Sequence, residues 1–269
     1  MPLKKQPNMP RIILDIRKNI DENAAVYFEK AKKAKRKIEG ARSAIEKTKK
    51  QLEKIEEEEK LETKKAEKPK PEKKWYENFR WFISSEGFLC IGGRDATTNE
   101  IVIKKHTNSD DLVFHTDLAG SPFFVVKSEG KKIGKPTMEE TAQATASFSK
   151  AWKLGLSVLE VFYVNPEQVS KEAKAGEYMG KGAFMIYGKT NYITAELKLC
   201  VGLLEDGKPM CGPVEAVKKN CKEYFELIPG SDKPSDIAKR LKKRFDFSLD
   251  DIIRILPSGN IKLISNTKI

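Results

Sequence analysis

Residues Leu112–Ser128 read LVFHTDLAGSPFFVVKS, and the rest of the chain is best understood from them. Two apolar runs, Leu112 to Phe114 and Phe123 to Val126, flank a polar centre holding His115, Thr116, Asp117, Gly120 and Ser121. That pattern predicts two short strands joined by a tight turn. One account is a buried hairpin whose histidine and aspartate satisfy each other; the other is a turn that presents polar groups outward.

Downstream, GKKIGKPTMEETAQATASFSKAWKLG predicts a helix. Thr137 and Glu140 have capping-box spacing behind Pro136, Thr141, Thr145, Phe148 and Trp152 mark one face, and Gly155 supplies the stop. Ser157 to Val164 is an apolar strand, so strand, helix and strand alternate. This predicts an α/β or α+β globular domain, a mixed sheet with covering helices. Upstream, Trp75, Phe79 and Phe82 have helical spacing and lead into strands, the second over Phe88 to Ile91. Gly92 and Gly93 then permit a close turn, and Arg94 offers a planar fork suited to phosphate or carboxylate. A short helix over Thr97 to His106 ends in Lys104, Lys105 and His106, where cations complement a helix C-terminus. Beyond the central domain, strands are expected near Leu197 to Leu204 and Tyr224 to Ile228. Short helices are expected around Ile237 with Leu241 and after Ser248.

Ahead of the domain, Ile20, Ala24, Tyr27, Ala31, Ala34, Ile38, Ala41, Ile45, Thr48, Leu52 and Ile55 alternate four and three apart. This heptad seam predicts one long coiled-coil helix, opened by an Asn19–Glu22 capping box. So narrow a stripe requires a partner helix or a binding surface. The expected organisation is an extended N-terminus over 1–18, the coiled-coil helix over 19–62 and a charged linker or coiled-coil tip over 63–74. A central domain over 75–195 follows, with C-terminal strands and helices over 196–269.

The chain of 269 residues carries a net charge of +12, distributed unevenly. The first 74 residues hold 23 Lys and Arg against 14 Asp and Glu, and so contribute +9. Such a basic arm suits a polyanion, or simply a solvated helix. Cys90, Cys200, Cys211 and Cys221 form no CxxC pair and the only histidines are His106 and His115, which argues against a zinc site. There is no GxxxxGK[ST] or GxGxxG loop, no leader and no membrane-length apolar run. The expectation is a cytoplasmic protein with no cofactor, no metal and no membrane partner.

The segment NPEQVSKEAKAGEYMGKGAFMIYGKTNYI places Lys171, Lys174, Lys181 and Lys189 among glycines, with Tyr178, Tyr187 and Tyr192 interleaved. Lysines, glycines and aromatics on one loop suit a sugar-phosphate backbone with stacked bases, although a solvated loop over packed tyrosines has the same composition. An enzyme would draw on His115, Asp117 and Ser121, but the three fall within one strand-turn-strand and no GxSxG elbow is present. A coiled-coil adaptor without RNA is a third class.

In their order, LVFHTDLAGSPFFVVKS, the T-x-x-E helix and QVSKEAKAGEYMGKGAFMIYGKTNYI resemble the RNA-binding domain of the NFACT family. GFLCIGGRDATTNEIVIKKH is similar to the start of that domain in its archaeal branch, and NAAVYFEKAKKAKRK to the family's middle coiled coil. The resemblance runs from about residue 12. It implies a factor of ribosome-associated quality control that engages tRNA and the rRNA and proteins of an obstructed large subunit, and not DNA. Family members support mRNA-independent C-terminal tailing of stalled chains, with the peptide-bond chemistry left to the ribosome, so no catalytic residue is expected here. Carried onto this sequence, Arg94, Lys104, Lys105, His106, His115, Lys171, Lys174, Tyr178, Lys181 and Lys189 become expected RNA contacts, with Asp95, Asp117 and Glu177 as supporting groups. Full-length members carry an N-terminal domain and a helix-hairpin-helix region before the coiled coil, so a fragment or split product is expected. The family's coiled coil is a two-helix hairpin; here the second helix would start near Pro71 or come from another chain, including the missing N-terminal half.

Overall fold

The structure, a computed structural model, describes residues 12–63, 73–172, 179–245 and 247–268. Contacts divide the chain into two units between Glu72 and Lys73. In the first, a single helix, α1 (Ile20–Thr63), carries the heptad seam. Its N-terminus closes as the spacing predicts: Glu22 N–H donates to Asn19 Oδ1 at 2.8 Å and Asn19 N–H to Glu22 Oε2 at 3.0 Å. Residues before the helix are held onto it. Asn23 accepts from Asp15 N–H and donates to the Asp15, Lys18 and Asn19 carbonyls, while the Tyr27 hydroxyl bonds both main-chain groups of Ile13. The apolar seam lies open, with Ile20, Ile38, Ile45 and Leu52 all exposed.

The second unit opens with a 3-10 turn, Trp75–Asn78, in place of the expected helical start. Strands and helices then follow as β1 (Arg80–Ile83), β2 (Leu89–Gly92), α2 (Ala96–Lys105), β3 (Leu112–His115), β4 (Phe124–Val126), α3 (Lys135–Ser147), α4 (Lys150–Leu154) and β5 (Val158–Val164). A loop with two minor strands, β6 (Val169–Ser170) and β7 (Met185–Ile186), leads to β8 (Asn191–Glu196). The C-terminal part comprises β9 (Leu199–Leu203), β10 (Pro209–Gly212), α5 (Val214–Asn220), β11 (Glu223–Asp232), α6 (Pro234–Lys242), α7 (Leu249–Ile255) and β12 (Ile261–Lys268).

The opening hairpin forms with Leu112 opposite Val126 and Phe114 opposite Phe124. It lies in the middle of a six-stranded sheet ordered β1-β2-β4-β3-β5-β8, and a second sheet is ordered β10-β9-β11-β12. All the described ladders are antiparallel, so the layers are α+β. The sheets meet where Gly212 passes Phe82: a Cβ on Gly212 would lie 2.8 Å from the Phe82 Cβ. Phe82, Phe114, Phe124, Trp152, Leu199 and Leu227 are buried in one continuous core.

The helix after the hairpin starts three residues earlier than the Thr137 capping box predicted. Gly134 is its N-cap, and the acceptor comes from another turn: Glu86 Oε2 receives Thr137 N–H at 3.1 Å. Glu140 bonds Ser85 N–H at 2.9 Å instead of the helix start. The helix also breaks after Phe148, where Ser149 caps α4 by accepting Ala151 N–H.

Candidate nucleic-acid interface

The scaffold of the site is α2. Asp95 caps it, accepting Thr98 N–H at 2.8 Å, and this hydrogen bond holds its carboxyl below the usual carboxylate range. Asn99, buried on the inner face, accepts Phe123 N–H through Oδ1 at 3.1 Å, which joins the helix to the hairpin. Gly93 makes room for that side chain, since a Cβ there would lie 1.9 Å from Asn99 Oδ1.

On the outer face, Glu100 clasps the loop between β6 and β7. It accepts Lys104 Nζ at 2.6 Å and Gly182 N–H at 3.4 Å, and the Lys104 bond lowers its pKa most. Gly182 lies at φ +76°, and a Cβ on it would come within 2.5 Å of the Ala96 backbone. Lys171 closes the loop from inside: its ammonium donates to the Gly180 and Ala183 carbonyls at 2.9 Å each and sits 5.0 Å from the Phe184 ring centre. Exposed Lys104 and Lys105 on α2 and exposed Lys181 on the clasped loop are thereby brought onto one connected surface. Lys189 is exposed further along, where its carbonyl accepts Gln168 Nε2 at 3.0 Å.

Beneath the loop, rings run in series. Phe184 meets Phe123 edge-on at 5.3 Å, Phe123 stacks on His115 at 4.0 Å, and Phe162 links His115 to half-exposed Tyr192. The Tyr192 hydroxyl points to Asp117 Oδ2 at 3.5 Å. A second aromatic surface sits at the other end of α2, where Trp75, 47% exposed, stacks on His106 at 4.5 Å and 17°. Burial, Lys127 and Lys105 lower the His106 pKa from its ordinary value.

Several expected RNA contacts face the protein. Arg94, read as a phosphate fork, donates to the carbonyls of Asn78, Phe79 and Arg254 at 3.2, 2.8 and 2.5 Å. Lys171 is committed to its own loop. His115 puts Nε2 3.2 Å from the Ser121 carbonyl, and burial lowers its pKa to about 4. Asp117 turns to Tyr192 and Asp95 to a helix end. Lys174, Glu177 and Tyr178 lie outside the described residues. The hydroxyl of Ser121 pairs with Thr116 and donates to the Leu118 carbonyl, away from His115.

Two surfaces went unread in the sequence. One is the Trp75–His106 stack. The other is the outer face of α6 and its extension, where Lys239, Arg240, Lys243 and Arg244 are exposed opposite buried Ile237 and Leu241. The run KRLKKR over residues 239–244, on either side of Leu241, was the available signal. Among the described residues, no helix is long and apolar enough to cross a membrane.

An antiparallel α+β core bearing a lysine-edged helix and loop over aromatic rings has the make-up of a nucleic-acid-binding domain. Residues 78–188 match the family model described as the NFACT protein RNA binding domain. The chain belongs to the NFACT family. It is 44% identical over 204 residues to the archaeal Rqc2 homolog aRqcH of Methanocaldococcus jannaschii, a match covering 73% of this chain and 30% of that protein. It is 37% identical over 180 residues to the human ribosome quality control complex subunit NEMF, covering 64% of this chain and 16% of that protein. The chain therefore spans under a third of the length of either relative.

Proposed function

We propose that the chain is an RNA-binding component of ribosome quality control, its globular unit binding tRNA on an obstructed large ribosomal subunit. In this reading it contributes to tRNA recruitment for C-terminal tailing and performs no bond chemistry of its own. The observation that supports the reading best is the clasp between α2 and the 179–186 segment, formed by Glu100, Gly182 and Lys171. It presents Lys104, Lys105 and Lys181 together, with the exposed ring of Trp75 stacked on the neighbouring His106 and the half-exposed Tyr192 at the end of the ring series beneath the loop. Flexible cations next to neutral ring faces match a phosphate backbone with unstacked bases. The match to an RNA-binding family model and relatives named for ribosome quality control agree with it.

Crosslinking in cells followed by sequencing of the bound RNA tests this directly. The expected result is enrichment of tRNA and large-subunit rRNA, with crosslinked peptides from Lys104–His106 and the 179–189 segment. Recovery of no RNA, or of messenger RNA alone, would overturn it.

A further inference from the structure

Between α3 and β8, within the second unit, lies a groove of about 340 Å³ whose lining is unlike the rest of this basic chain. Glu139, Glu140, Glu196 and Glu215 line it, together with Ser85, Pro136 and Gln143, and no lysine or arginine does. The remaining wall is Ile193, Thr194, Ala195 and Glu196 in succession. Alternate residues of a strand point to opposite faces, so four consecutive lining residues mean that the groove runs along the strand's edge. That edge is the terminal one of the six-stranded sheet, since β8 pairs with β5 and with no other described strand. An unpaired edge is a template for a further strand.

A second feature of the groove also points to a ligand. Glu140 is 93% buried; Oε2 accepts the Ser85 N–H at 2.9 Å, and Oε1 is buried with no hydrogen-bond partner among the described residues. Burial pushes this carboxyl above its usual range. Buried polar atoms are nearly always partnered, and this unpartnered oxygen belongs to a residue that lines the groove. Two rim glutamates already meet lysines from outside the lining: Glu139 pairs with exposed Lys135 at 3.5 Å, and exposed Glu215 with half-buried Lys218 at 3.2 Å. A solvent-exposed pair such as Glu139–Lys135 is worth little and leaves its glutamate open to another cation.

We propose that this groove binds an extended, Lys- or Arg-rich peptide segment of a protein partner, which adds as a strand to the free edge of β8 while its cationic side chains reach Glu139, Glu140, Glu196 and Glu215. Main-chain pairing supplies affinity and the glutamates supply selectivity for basic sequences. The groove is lined by none of the lysines assigned to RNA, so RNA and peptide would be held at once. The inference does not rest on the RNA reading.

A short alternating Lys-Val peptide, with a Glu-Val peptide as control, tests it on the full chain. The expected result is binding of the Lys peptide alone, with slowed amide hydrogen exchange at residues 193–196. Affinity should fall roughly ten-fold in Glu196→Gln/Glu215→Gln and also in Glu140→Gln, with tRNA affinity unchanged in both. Absence of binding would overturn the proposal. So would binding that leaves exchange at 193–196 unaltered, binding indifferent to the glutamate substitutions, or a groove that takes up Mg²⁺ and excludes the peptide.

Discussion

At Arg94, a guanidinium that would suit phosphate instead joins three carbonyls from the Trp75–Asn78 turn, its flank and α7. A single hydrogen bond from a charged donor is worth about 1.5–3 kcal/mol when desolvated, and these three, one part-buried and two exposed, together are worth about that much. Arg94→Ala is expected to lower the melting temperature by roughly 4–8 °C, with tRNA affinity of the folded protein unchanged. His115 shows the same inward commitment and adds a pH dependence. Its pKa falls to about 4 against an ordinary histidine value of 6.5, because the ring is buried between Phe123 and Phe162. Between those values the unfolded chain binds the extra proton, so stability is full above pH 6.5 and is lost as the pH falls toward 4. The loss is about 3 kcal/mol at most. Denaturant titrations across this window should show His115→Phe with a flatter slope; an unchanged slope would mean that the ring is solvated.

Among the elements, the clasp between α2 and the 179–186 segment rests on one glycine. Gly182 combines a positive φ with backbone contact to Ala96, so Gly182→Ala must both strain the chain and push the loop outward. Faster amide exchange over 179–186 and weaker tRNA binding are expected, with the melting temperature nearly constant. Strands and helices such as β3, β4 and α1 were legible in the sequence because local pattern alone specifies them: apolar runs about a polar turn, and a seam repeating every seven residues. Features set by distant chain were not. The T-x-x-E spacing at Thr137 implied a capping box, yet Glu86 from another turn caps α3. Likewise, only loop closure turns Lys171 onto the Gly180 and Ala183 carbonyls while Lys181 and Lys189 stay exposed, a difference that the spacing of the lysines could not show. The short strand β10 escaped because Pro209 and Gly212 bound it, a composition that reads as a turn and is tolerated on a sheet edge.

For the molecule as a whole, charge is the organising quantity. The N-terminal part carries most of the net positive charge, and the second unit is nearly balanced by composition. Any RNA affinity of that unit must come from where its lysines stand: at the end of α2 and on the clasped loop, with the α6 cations as the competing surface. The salt dependence of tRNA binding separates these possibilities, because each phosphate contact adds close to one unit to the slope of log affinity against log salt. A steep slope is expected for the full chain, reduced by about two units in Lys105→Ala/Lys181→Ala and unchanged in Lys239→Ala/Lys243→Ala. A slope that stays the same in the first variant and drops in the second would place the interface on α6 and contradict the account.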